Sequence, residues 1–183
     1  MRCWKGGTPV ELRDLSVRFG DKILFDHRDF FVPDQGITLL AGPSGVGKTT
    51  LLRAFFQAYP QDSAYLFQED RLLPWRTARQ HLTDVLPKSR RDEAGKFLAL
   101  VELEGEEQSY PAQFSGGMAR RLALARALAL DCRRYLLDEP FAGVDLPRQE
   151  RILARIRGLG RPVLLSGHAP ELRQWADHIL ELE

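Results

Sequence analysis

Three short stretches place reactive side chains at spacings that could hold phosphate and cleave it. GPSGVGKTT, from Gly42 to Thr50, has the GxxxxGK[ST] spacing and lies between the apolar run ITLLA and a helical pattern, the context in which that spacing cradles nucleotide phosphates. Its glycines let backbone N–H groups curl around phosphate oxygens, and the helix N-terminus adds partial positive charge. Lys48 is placed to reach the β- and γ-phosphates, and the Thr49 hydroxyl to ligate Mg²⁺. Candidate phosphate contacts are therefore Gly42, Pro43, Ser44, Gly45, Val46, Gly47, Lys48, Thr49 and Thr50. The competing reading is a glycine-rich turn with no ligand.

The second stretch, YLLDEP, sets Asp138 and Glu139 at the end of a buried apolar run. Ligands of open α/β sheets lie beyond such strand ends. Asp138 suits Mg²⁺, and Glu139 suits a general base for an attacking water; alone, the pair would read as a solvated turn ahead of Pro140. The third stretch, FSGGM, opens a long helical pattern at Ser115, Gly116 and Gly117. A hydroxyl, free N–H groups and a helix N-terminus make an anion site. A chain with a phosphate loop of its own has no evident use for a second.

The elements that must position these residues follow from the pattern. Val10 to Phe19 and Lys22 to Val32 predict two antiparallel strands around Gly20-Asp21. Buried strands are predicted over Ile37–Ala41, Ala64–Phe67, Tyr135–Leu137, Pro162–Ser166 and His178–Leu182, alternating with helices. One helix runs through about Ala58, and helical pattern covers Ala78–Val101, Met118–Leu130, Pro147–Arg157 and Glu171–Ala176. The alternation predicts an α/β fold, a P-loop NTPase with a mostly parallel sheet. A small helical subdomain, about residues 75–130, is inserted in it. The whole 183-residue chain is expected to be one minimal domain without a C-terminal regulatory domain.

Composition sets the outer limits. An apolar content of 44% supports one substantial core, and 26 basic against 25 acidic residues give a net charge of +1. That balance supplies no electrostatic argument for nucleic acid. Two cysteines form no disulfide framework, and neither a signal peptide nor a membrane-spanning apolar run is visible. A cytoplasmic protein is expected.

Together these residues resemble an ATP-binding cassette (ABC) ATPase across essentially the whole chain and in the family's order. GPSGVGKTT is similar to the Walker A motif, LLDE to Walker B, and SGGM (Ser115, Gly116, Gly117, Met118) to the signature motif. Gln68, closing AYLFQ, resembles the Q-loop glutamine, and Asp145 in FAGVD the D-loop aspartate. His168 after PVLLS resembles the switch histidine, and Phe19 in VRFG the aromatic that stacks on adenine. The resemblance implies ATP and Mg²⁺ as cofactors. It makes Glu139, His168 and Gln68 catalytic, and Thr49, Gln68 and Asp138 metal contacts. It also implies a dimer of two cassettes, head to tail, in which each signature helix faces the partner's ATP. Departures are Met118 where Gln is usual, Phe114 where Leu is common, and Arg120 in place of a second Gln; hydrolysis is expected to survive them.

Within the family, the absence of a long insert, a second cassette or fused membrane helices implies a separate ATPase subunit serving a membrane permease, peripheral on the inner face of the membrane. QEDRLLPW, from Gln68 to Trp75, resembles the Q-loop region of importers for nitrate, taurine, aliphatic sulfonates and similar small solutes. Leu72, Leu73 and Trp75 are then the expected permease contact, and a solute-binding protein an indirect partner. The alternatives are a soluble P-loop small-molecule kinase, which leaves SGGM and His168 unexplained, and a binding-only regulatory cassette.

Overall fold

Strand formation follows the apolar runs. The computed structural model describes residues 9–167 and 170–183, without the side chains of Phe19, Lys22 and Pro170. Strands β3 (Ile37–Ala41), β4 (Ser63–Leu66), β5 (Arg134–Leu137), β6 (Val163–Ser166) and β7 (His178–Glu181) form a parallel sheet in the order β4-β5-β6-β3-β7. The first four are buried along their whole length, and β7 is the more exposed edge. Successive residues point to opposite faces. Leu39, Leu137 and Leu165 enter one apolar core, and Leu40, Leu136 and Leu164 the other.

Helix α1 (Lys48–Ala58) packs Leu51, Leu52 and Phe55 into the second core, which also takes Phe25 and Phe30. Those two come from the antiparallel pair β1 (Val10–Phe19) and β2 (Lys22–Val32), closed by the turn at Gly20 and Asp21. The opposite core is covered by α2 (Ala78–Thr83), α3 (Ala94–Leu100), α4 (Gly116–Leu128) and α5 (Leu146–Arg157). Helix α4 is central to that layer, packing on α2 and α3 and on strands β4 and β5. Its arginines Arg120 and Arg121 are buried along with its leucines and alanines.

Two expected helices are broken. The pattern over 78–101 splits into α2, a 3₁₀ segment Lys88–Glu93, and α3. Pro87 is the physical reason, because it lacks an N–H and disfavours helical backbone at the residue before it. The expected helix at 171–176 is a 3₁₀ segment, Pro170–Trp175. No helix among the described residues is long and apolar enough to cross a membrane.

Candidate active site

The phosphate loop connects the buried strand β3 to α1, so its position is set by the sheet. Gly42 and Gly47 have φ values of 139° and 110°, which L side chains rarely adopt. A Cβ on Gly42 would lie 2.4 Å from the Leu182 carbonyl oxygen, and one on Gly47 2.8 Å from the Phe25 ring. Glycine is therefore required at both positions by conformation and by space. Gly47 caps α1 without a side-chain hydrogen bond, and the first turn carries no acidic residue. The N–H groups opening α1 thus meet no capping side chain, as an anion site requires.

Lys48 is 7% exposed. Its Nζ donates to the carbonyl oxygens of Gly42 at 2.7 Å and Pro43 at 2.9 Å. Burial lowers its pKa, opposed by the carboxylates of Glu139 and Asp138. The ammonium thus sits at the loop it would help to charge, held by weak neutral acceptors that phosphate oxygens outcompete.

Asp138 directly follows β5 and is 1% exposed. Its Oδ1 accepts from Thr49 Oγ1 at 3.1 Å and from Ser166 Oγ at 2.8 Å, and its Oδ2 from the Tyr65 hydroxyl at 3.3 Å. Burial, followed by the Asp138 charge, pushes the Tyr65 phenol's pKa up, keeping it a donor. Glu139 follows with φ 47°, in the left-handed region that non-glycine residues enter at a cost and often at functional sites. Its N–H donates to Ser166 Oγ at 3.0 Å. Ser166, at the end of β6, therefore ties the two acidic residues together from the neighbouring strand.

Gln68 lies just past the end of β4. It lines a cleft of about 230 Å³ together with Leu24, Ser44, Gly45, Gly47, Lys48, Thr49, Thr50 and Glu139. The cleft thus joins the phosphate loop, the glutamine and Glu139 in one concavity, with Asp138 bonded to Thr49 behind it. Thr49 hydroxyl, Gln68 amide oxygen and Asp138 carboxylate are hard oxygen donors, few in number, which suits Mg²⁺ completing its shell with phosphate oxygens and water.

Ser115 to Met118 do not line that cleft. Ser115 is the N-cap of α4, its Oγ accepting from the Met118 N–H at 3.2 Å. A Cβ on Gly117 would lie 2.4 Å from the Gly143 carbonyl oxygen, so only glycine lets α4 begin against the loop before Asp145. Asp145 caps α5, accepting from the Arg148 N–H at 3.0 Å and from Arg148 Nη1 at 2.8 Å. Leu73 is exposed and Trp75 is 68% exposed, whereas Leu72 packs partly buried against the helical core. The expected apolar patch of Leu72, Leu73 and Trp75 therefore reduces to its last two members. His168 and the Phe19 side chain lie outside the described residues.

Sequence reasoning passed over Tyr65, Ser166 and Leu24, and met Arg120 only as a departure from the signature motif, without its contacts. The hydroxyls of the first two, on the strands flanking β5, gave no signal, because their partner Asp138 is distant in the chain. The buried arginine carried none, because arginine on a helix ordinarily marks a solvent face.

Comparison with known proteins agrees with the order of these motifs. The sequence pattern of the family described as ABC transporter matches residues 25–142. An aliphatic sulfonates import ATP-binding protein of Frankia alni is 39% identical over 188 residues, covering 94% of this chain and 76% of that protein. One of Rhodococcus jostii is 35% identical over 191 residues, covering 95% and 78%. Among solved structures, a dimeric post-hydrolysis ATP-binding cassette bound to ADP and Pi superposes with a TM-score of 0.79 at 22% identity, covering 94% of each chain. A nucleotide-free cassette from an ABC transporter gives 0.82 at 18% identity, covering 96% and 88%.

Proposed function

The chain belongs to the ABC transporter family, and from that premise we propose that it is the ATP-hydrolysing subunit of an importer for a small solute, with alkyl sulfonates the first class to test. The observation that carries the reading is the cleft itself. Lys48, Thr49, Gln68 and Glu139 meet there, and Asp138 stands behind Thr49. The import role rests on the relatives, whose names specify sulfonate import.

In this reading the N–H groups of residues 42–50 and Lys48 hold the β- and γ-phosphates, and Phe19 stacks on the adenine. Thr49, Gln68 and Asp138 hold Mg²⁺, which when bound would neutralise charge developing on the phosphate oxygens. Glu139 takes the proton of the attacking water, and His168 contacts the γ-phosphate. Ser115, Gly116, Gly117 and Met118 meet the nucleotide of a second copy, with Asp145 beside that interface. Leu73 and Trp75 offer apolar surface to a permease on the inner face of the membrane, and a solute-binding protein delivers cargo to that permease.

Replacing Glu139 with Gln tests the assignment. The amide cannot accept the proton, so hydrolysis should fall at least about a hundredfold, while ATP binding measured by calorimetry persists. The uncleaved nucleotide should also drive the variant into a dimer on size exclusion. A variant that releases phosphate at the parental rate would place the base elsewhere.

A further inference from the structure

Arg120 lies five residues past the Ser115 cap and is 3% exposed. A buried guanidinium is tolerated only when its donors are met, and here they are met by the two chain segments that carry the chemistry. Nη1 donates to the carbonyl oxygens of Phe67 at 2.7 Å and Gln68 at 3.2 Å, and to Asp70 Oδ1 at 3.0 Å. Nε donates to the Glu139 carbonyl oxygen at 2.9 Å, and Nη2 to that of Asp138. One rigid planar group thus spans the ends of the adjacent strands β4 and β5. It fixes the backbone of Gln68 relative to that of Glu139.

Neighbouring contacts make the clamp specific. Arg126, on the same helix, donates to the carbonyl oxygens of Asp70 and Arg71 at 2.9 Å each. Arg71 is held at φ 49°, with its guanidinium 3.8 Å from the centre of the Phe67 ring. Residues 67–71 are thereby fastened to α4 rather than to the sheet alone. Arg120 is the group of the two that also reaches the acidic pair.

We propose that Arg120 is a positioning residue for ATP hydrolysis: it sets the placement of Gln68 against Glu139, and makes that placement follow the helix capped by Ser115. The proposal rests on the reading of Gln68 and Glu139 as the hydrolytic pair. Arg120 does not line the cleft, so its removal should spare nucleotide binding and damage turnover. A lysine keeps the charge but not the fork, and its single ammonium cannot reach both strands' carbonyls together.

The test uses the full chain with Arg120→Gln and Arg120→Lys, measuring ATP affinity by calorimetry, kcat and KM for ATP, and the thermal midpoint. Both variants are expected to keep Kd and KM within about threefold of the parent while kcat falls about tenfold or more, with lysine no adequate substitute. A folded variant whose kcat stays within about twofold overturns the proposal. So does turnover that falls only in proportion to ATP binding or to the folded fraction, or a failure of both variants to fold, since Arg120 would then support the fold as a whole. The parent and Glu139→Gln are assayed alongside. If Glu139→Gln hydrolyses normally while Arg120→Gln does not, the hydrolytic pair is misassigned even though Arg120 matters.

Discussion

Ser115 combines two duties that chemistry can separate. Its hydroxyl caps α4 in the structure, and the proposed dimer asks the same group to meet a partner's γ-phosphate. Aspartate caps a helix as well as serine does and favours the positive end of the dipole, yet a carboxylate repels phosphate. Ser115→Asp is therefore expected to keep the thermal midpoint at or above that of the parent while hydrolysis collapses. Ser115→Ala should lose about 1 kcal/mol of stability with the cap. If Ser115→Asp hydrolyses ATP as the parent does, the hydroxyl is a cap and nothing more. The glycines, Lys48, Asp138 and Glu139 were legible because phosphate chemistry dictates their types and spacing. Ser166 and Tyr65 were not, because their partner Asp138 lies 28 and 73 residues away in the chain.

Between elements, the weight falls on Glu102, just beyond the end of α3. It accepts from Arg151 at 2.6 Å and from Arg148 at 3.0 Å, both on α5, while Arg155 lies at 3.7 Å. Arg121 of α4 donates to the Val101 carbonyl oxygen at 2.8 Å and to that of Glu102, and Arg155 to that of Ala99 at 2.6 Å. The carbonyls at the end of α3 and in the two residues just past it, where intrahelical N–H partners run out, are thus met by arginines from two other helices. The bond from Arg151, supported by Arg148 and opposed by burial, lowers the Glu102 pKa from 4.5 to about 2. A depressed carboxylate pKa contributes stability above the unfolded value, and loses it as pH falls through the folded one. The thermal midpoint of the parent should therefore exceed that of Glu102→Gln at neutral pH, and the gap should close as pH drops from 4.5 towards 2. A gap that persists at the acid end would assign the effect to packing. Since the arginines are partly exposed, added salt should also narrow it. This network explains why the layer of helices was only partly legible. Apolar periodicity predicted helical pattern throughout 78–101, but Pro87 and the clamp at Glu102 decide where each piece stops.

At the scale of the whole molecule, the N-terminal half of α4 serves two tasks at once. Its buried Arg120 reaches the backbone of Gln68, Asp138 and Glu139 of its own chain, while Ser115 and Gly116 stay exposed and outside the cleft that Lys48 lines. One chain therefore holds a phosphate loop and an exposed helix start that do not meet. In the head-to-tail pair proposed above each would meet the other, so ATP would be the ligand that holds the dimer and hydrolysis the step that releases it. The rate per subunit should accordingly rise with protein concentration until dimers saturate. Mixing supplies the sharper test. Ser115→Asp subunits keep an intact phosphate loop, and Lys48→Ala subunits keep an intact helix start; each alone should be inactive. In a mixed dimer one site receives both lesions and the other receives neither. Equal mixing makes about half the dimers mixed, with one sound site of two, so about a quarter of the parental rate should return. Activity that stays absent means the two sites must act together. A parental rate per subunit that is unchanged on dilution to monomer would instead leave ATP hydrolysis complete within a single chain, and the helix start at Ser115 without a phosphate to bind.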